Sequence, residues 1–183
     1  MTVMADVRSG DTAEAHVIEL RPPRSADRKR VREIVTTTGV FRPEEISIAM
    51  EVFDDGIARP EQDYWLIGAF DGTALLGFAA FGAVPCTAGT WDLYWIAVDP
   101  AAQGRGVGRK LMAYCEETIG AEGGRLIAVQ TSSRDDYGPT RAFYDRLGYE
   151  AQATIQEYYA PGDGLIVYTK YLDSSGNETG PYG

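Results

Sequence analysis

Residues 103–110, Gln103-Gly104-Arg105-Gly106-Val107-Gly108-Arg109-Lys110, combine three glycines at alternate positions with three cations. The chemistry open to such a turn is anion binding. Glycine lets an oxyanion approach the backbone with no Cβ in the way. A helix beginning there adds unpaired N–H groups and a partial positive charge. Both flanking elements are legible. Leu93-Tyr94-Trp95-Ile96-Ala97-Val98 is an apolar run of strand length, stopped by Asp99-Pro100 because proline cannot donate to a ladder. Val107, Leu111, Met112 and Cys115 then recur at helical spacing. The stretch reads as a pyrophosphate cradle, with a glycine-rich surface turn as the alternative. Arg105 and Arg109 read equally as phosphate ligands or as solvated cations at a helix start.

Two common phosphate loops do not fit. The P-loop needs glycine directly before its lysine, but Lys110 follows Arg109 and precedes Leu111; a dinucleotide fingerprint needs glycine at 109.

The elements that must position this turn can be read along the chain. Residues 17–21 alternate as a strand and end at Pro22-Pro23. Ser25 offers an N-cap for a helix to about Thr38, with Val31, Ile34 and Val35 on one face. Pro43, Glu44 and Glu45 open a second helix, continued by Ile46, Met50 and Phe53. Its acidic residues, Glu44, Glu45, Glu51, Asp54 and Asp55, form either a solvated face or an attractor for a cationic substrate. Residues 64–70 and 74–84 are strands joined at Asp71-Gly72, a hairpin signal, with Gly77 and Gly82 allowing a bend or bulge. The helix after the glycine turn runs to about Ile119. Residues 126–131 are an apolar strand, 132–139 a polar loop, and 140–147 a short helix capped by Gly148. Residues 149–157 and 165–172 are the last two strands, joined by a loop through Pro161-Gly162. The fold class is mixed α/β in the order β–α–α–β–β–β–α–β–α–β–β. A disordered leader is expected over 1–15, one domain over 16–172, and a flexible tail over 173–183.

The 183 residues suit one domain with an ordinary core. A net charge of −10 argues against nucleic acid, whose phosphates it would repel, and is compatible with an amine substrate. No apolar run is long enough to span a membrane, and no secretory signal is evident. Two cysteines, Cys86 and Cys115, are no disulfide framework, and one histidine, His16, leaves no metal or Cys-His site. The expectation is a cytoplasmic chain with no metal and no membrane partner.

Residues 103–108 match R/Q-x-x-G-x-G/A, and with the element order the chain resembles the GNAT N-acetyltransferase superfamily over roughly residues 17–172. The resemblance implies a central, twisted, mostly antiparallel sheet with splayed fourth and fifth strands, flanked by four helices. It implies acetyl-CoA as cosubstrate. The backbone of Ile96, Ala97 and Val98 would hold the pantetheine arm, and Gln103, Gly104, Arg105, Gly106, Val107, Gly108 and Arg109 the pyrophosphate. Residues 140–149 resemble the family's second motif, apart from the spacing before Tyr144. By that resemblance Tyr144 is the general acid; a phenol of pKa ~10 can donate to a thiolate near ~8.5 without ionising. The other reading of Tyr144 is a core aromatic. Tyr137 stands where many members carry an asparagine on the pantetheine, so loop serines or backbone groups are expected to replace that amide.

The base is open among three readings. Asp92 lies four residues before Ile96, where histone-type members place a glutamate, and strand parity predicts Asp92, Tyr94, Ile96 and Val98 on one face. Glu157, beside Tyr158-Tyr159, is the second, and a water chain the third; Gln130 occupies the glutamate position of ribosomal-protein N-terminal acetyltransferases. Phe41, Tyr94, Glu157 and Tyr159, with Trp95, are expected to line the acceptor pocket or else serve as core. The implied function is acetyl transfer to a primary amine of a small molecule or peptide by direct attack in a ternary complex. Alternatives are a non-catalytic CoA-binding module and an acyltransferase for longer chains. The resemblance also implies a possible homodimer through the last strands.

Overall fold

The computed structural model describes residues 17–172. The leader expected over 1–15 and the tail expected over 173–183 lie outside the described residues. β1 (Ile18–Arg21) passes through a short 3-10 turn, Ser25–Asp27, into α1 (Arg28–Thr37). Then follow α2 (Pro43–Ala58), β2 (Trp65–Asp71), β3 (Ala74–Ala83), β4 (Thr90–Val98), α3 (Val107–Ala121), β5 (Leu126–Ser132), α4 (Gly138–Arg146), β6 (Glu150–Ala160) and β7 (Asp163–Tyr171). The strands make one sheet in the order β1-β2-β3-β4-β5-β7-β6. β4 and β5 pair in parallel, and the other five ladders are antiparallel.

β3 is the centre of the packing. Every residue but its two ends is buried, which explains its continuous apolar run. Ala79 and Phe81 join a core with Leu111, Met112 and Cys115 of α3. Leu75 and Phe78 join a second core on the opposite face, with Val31, Ile34 and Val35 of α1 and Met50 and Phe53 of α2. The α2 start follows from local chemistry: Pro43 holds the first helical position, and the Glu45 carboxylate accepts from the Arg42 amide at 2.6 Å.

Several boundaries differ from expectation. Ser25 does not cap α1; it opens the 3-10 turn, where the Asp27 carboxylate accepts from the Arg24 amide at 2.7 Å. The polar loop at 132–139 is partly ordered: Ser132 still belongs to β5, a 3-10 turn covers Asp135–Tyr137, and α4 starts at Gly138. The loop at 160–164 contracts to a tight turn, because Ala160 already pairs with Asp163.

The parity prediction for β4 is wrong for a definite reason. Ala80 faces Trp95 and Phe81 faces Leu93, so Tyr94 is an extra residue, a bulge that reverses the alternation. Leu93, Ile96 and Val98 therefore pack on the α3 side, whereas Trp95 and Ala97 pack with α1 and α2. Asp92 does not share a face with Ile96 and Val98. The bulge in β3 falls at Leu76 rather than at a glycine. Gly77 serves close approach instead: a Cβ there would lie 2.8 Å from the Ala97 carbonyl oxygen. Gly77→Ala is expected to destabilise the fold by about 1–3 kcal/mol through overpacking against backbone, measured as a lower denaturation midpoint at unchanged m-value.

Candidate active site

The parallel β4–β5 ladder ends at Leu93 opposite Val129. Beyond it β4 stays with β3 as far as Val98, and β5 stays with β7 as far as Ser132. The edge of β4 from Tyr94 to Val98 that faces β5 has no strand partner. A cavity of about 750 Å³ fills this fork. Asp92 to Val98 of β4 and Ala128 to Ser132 of β5 form its floor. Val40, Phe41, Glu44 and Glu45 form one wall, Pro139, Thr140 and Tyr144 another, and Tyr159 and Gln103 close the ends.

The glycine turn leads away from this cavity. Gly104 and Gly106 have φ of 77° and 78°, the left-handed region, and only open space lies where their Cβ atoms would be. Gly106 is the N-cap residue of α3, so the orphan amides of that helix face the same open space. Gly108 has a different job. It lies inside α3, where a Cβ would come within 3.3 Å of the Phe143 ring, and it lets α3 approach α4. Arg105 donates to Asp71 at 2.9 Å and anchors the turn to the end of β2. Arg109 and Lys110 are exposed and have no ion pair among the described residues. Asp99 ties the start of the turn to α1: it accepts from the Ala101 amide at 2.8 Å and pairs with Arg30. The Ala101 amide, with Arg30, holds the Asp99 carboxyl below its ordinary range despite some burial.

Tyr144 is 3 % exposed, packed edge-on to Phe143 and Tyr149 and tilted against Tyr168. Burial pushes its phenol far above the ordinary value, so it keeps its proton throughout the physiological range. Its hydroxyl makes no hydrogen bond within the described residues. Tyr137, at the position expected to carry an amide, is buried, raised to about 12 by desolvation, and donates to the Val40 carbonyl at 3.4 Å. It braces the α1–α2 connection.

Asp92 is half-buried and has no hydrogen bond or ion pair among the described residues; desolvation raises its pKa. Tyr94, at the bulge, meets Tyr64 edge-on, and burial followed by the Asp92 charge raises its phenol. Phe41 packs on Trp95 with centroids 5.4 Å apart. Glu157 is not brought to the cavity: at φ 54° its carboxylate turns into the β6–β7 turn and accepts from the Gly162 amide at 3.4 Å. Two polar atoms beside the fork, Trp95 Nε1 and Thr131 Oγ1, are enclosed without a partner among the described residues. Glu44, Glu45, Asp92 and Asp136 all line the cavity, and among the described residues no Lys, Arg or His does. Sequence reasoning missed that Asp163, Arg42, Ser132 and Arg134 join around the cavity rim, because no local pattern pairs residues so far apart.

Among the described residues no group of three or more His, Cys, Asp and Glu side chains could hold a metal, and no helix is long and apolar enough to cross a membrane. The electrostatics of Asp92 are testable through stability. Its folded-state pKa is raised, so the ionised carboxylate disfavours folding at neutral pH, and the penalty disappears once pH falls below its unfolded value. Asp92→Asn is expected to raise the melting temperature at pH 7, with the advantage shrinking to nothing as melting curves are taken down to acid pH.

Comparison with known proteins agrees with this geometry. The family model "Acetyltransferase (GNAT) family" matches residues 29–149. N-alpha-acetyltransferase RimI of Mycobacterium tuberculosis is 32% identical over 123 residues, which cover 67% of this chain and 73% of that protein. A solved structure assigned to the GNAT acetyltransferases, from Desulfovibrio desulfuricans, superposes with a TM-score of 0.82 at 36% identity over 86% of this chain and 100% of its own. A Salmonella typhimurium structure described with its cofactor acetyl-CoA shares the fold at a TM-score of 0.68 and 17% identity, over 88% of this chain and 98% of its own. The chain belongs to the GNAT acetyltransferase family and is an N-acetyltransferase.

Proposed function

We propose that this protein transfers an acetyl group from acetyl-CoA directly to a primary amine of a cationic small molecule or peptide, within a ternary complex. One observation carries the reading: an unpaired strand edge, a protonated phenol and an unpaired carboxylate line the same cavity. The residues present fit acetyl-CoA. The free edge of β4 offers amides and carbonyls to the amide-bearing arm in the manner of an added strand. The amides of residues 104–109 and the cations Arg109 and Lys110 suit the pyrophosphate. When bound, acetyl-CoA supplies the acyl carbon and a thiolate leaving group.

The chain's own groups divide the remaining work. A backbone N–H of residues 96–98 polarises the thioester carbonyl. The carboxylate wall attracts an acceptor that arrives as an ammonium ion, and the Asp92 carboxylate takes its proton, directly or through water. Burial brings the Asp92 pKa closer to neutrality and improves it as a base. Tyr144 holds its proton and donates it toward the departing sulfur.

Tyr144→Phe is expected to lower kcat by roughly 10²–10⁴-fold, followed as CoA release, while calorimetric affinity for CoA is unchanged. An unchanged kcat would remove Tyr144 from the reaction. The acceptor class is tested separately with matched amines. Those with a second positive charge are expected to show at least a roughly tenfold higher kcat/KM than neutral monoamines at low ionic strength, a gap that added salt narrows. Equal values for both sets would overturn the cationic assignment.

A further inference from the structure

Three segments that line the acceptor side of the cavity converge on one buried carboxylate. Asp163, at the first position of β7, is 4 % exposed. It takes a hydrogen bond from Arg42, the N-cap residue of α2, and another from the Ser132 hydroxyl at the end of β5. Arg134 lies 3.8 Å away and donates to the Val40 carbonyl at 2.9 Å. The Ser133 amide donates to the Gly164 carbonyl at 2.8 Å, and the Gly164 amide donates to the Ser133 hydroxyl at 2.7 Å. The α1–α2 connection, the β5–α4 connection and the β6–β7 turn are thus clasped together. Phe41, Tyr137 and Tyr159 hang from these three segments, whereas Ile96, Ala97, Val98 and the glycine turn are held elsewhere, by β3, Arg30 and Asp71.

We infer that Asp163, Arg42, Ser132 and Arg134 are positioning residues that hold the acceptor wall against the fixed β4 edge. The inference rests on the acetyl-transfer reading for its kinetic consequence. The pair is buried on the Asp163 side and partly open on the Arg42 side; such a pair adds little net stability over apolar residues of the same volume, yet removing one partner breaks its hydrogen bonds. Its contribution here is geometric. The β5–β7 ladder already joins the β5–α4 connection to the β6–β7 turn, whereas the α1–α2 connection pairs with no strand of either, and the carboxylate supplies the common point. A wall displaced by about an ångström misaligns the amine and costs on the order of 10²-fold in rate.

The test compares Asp163→Asn with the double variant Arg42→Met/Asp163→Leu. In Asp163→Asn the melting temperature and the acceptor kcat/KM are both expected to fall, the latter by roughly 10–100-fold, with calorimetric CoA affinity unchanged. The double variant strands no charge and is expected to recover the melting temperature but not the acceptor kcat/KM. Recovery of both, or parallel loss of CoA affinity, would make the cluster merely structural. A second readout needs no substrate. Hydrogen exchange in Asp163→Asn is expected to quicken together at Ser133, Arg134, Gly164 and the first turn of α2, with residues 96–98 and α3 unaffected. Quickening in only one segment would refute the clasp. Failure of the wild type to acetylate any amine would count against the proposed function, and the exchange pattern would still decide the clasp.

Discussion

A strand that loses its neighbour in the middle of a sheet leaves backbone donors and acceptors without partners, and such groups are costly unless water or a ligand satisfies them. The parting of β4 from β5 beyond Leu93 and Val129 creates this condition at the centre of the molecule. Everything else follows from keeping the two strands apart. β4 is held to β3 by a ladder that closes up at Gly77, and β5 is held to β7 up to Ser132. The bulge at Tyr94 falls directly after the last parallel pair, where the extra residue twists β4 away. The resulting cavity sets the backbone of β4 and β5 beside the rings of Phe41, Trp95 and Tyr144 and the carboxylates of Glu44, Glu45 and Asp92.

The charges are segregated along this cleft. At the glycine turn two cations, Arg109 and Lys110, are exposed and have no ion pair among the described residues, while the other end holds carboxylates. In a chain of net charge −10 this polarity suits the proposed orientation, with an anion at one end and a cation at the other. Each end is fastened by ion pairs from distant elements. Arg30 with Asp99 and Arg105 with Asp71 secure the turn, and Arg42 with Asp163 secures the opposite rim. Arginines that read as phosphate ligands are therefore divided between structure and solvent.

The aromatic residues divide in the same way. Tyr144 is enclosed by three other rings, which fix its orientation and keep it protonated. Tyr137 lines the cavity and also braces it. Its hydroxyl reaches Val40, and the Arg134 guanidinium lies 5.1 Å from its ring. The β5–α4 connection is thereby tied to the α1–α2 connection.

The strand–glycine turn–helix unit, the hairpin at Asp71-Gly72 and the helical phases of α1, α2 and α3 are legible in the sequence, because each rests on local periodicity and on residues with restricted backbone preferences. The same holds for the left-handed glycines at 104 and 106, whereas Tyr144 is singled out by the resemblance of residues 140–149 and not by periodicity. Four features were decided only by the tertiary structure. The facing of Asp92 depends on a bulge, and one inserted residue in a ladder reverses parity without leaving a compositional mark. The separate role of Gly108 depends on Phe143, 35 positions away, and the pairing of Arg105 depends on Asp71. The clasp around Asp163 joins residues 121 and 31 positions apart, and no local pattern encodes which distant cation a buried carboxylate meets. Local chemistry determined the elements and the glycine turn, while long-range packing determined which side chains face the cleft and which hold it open.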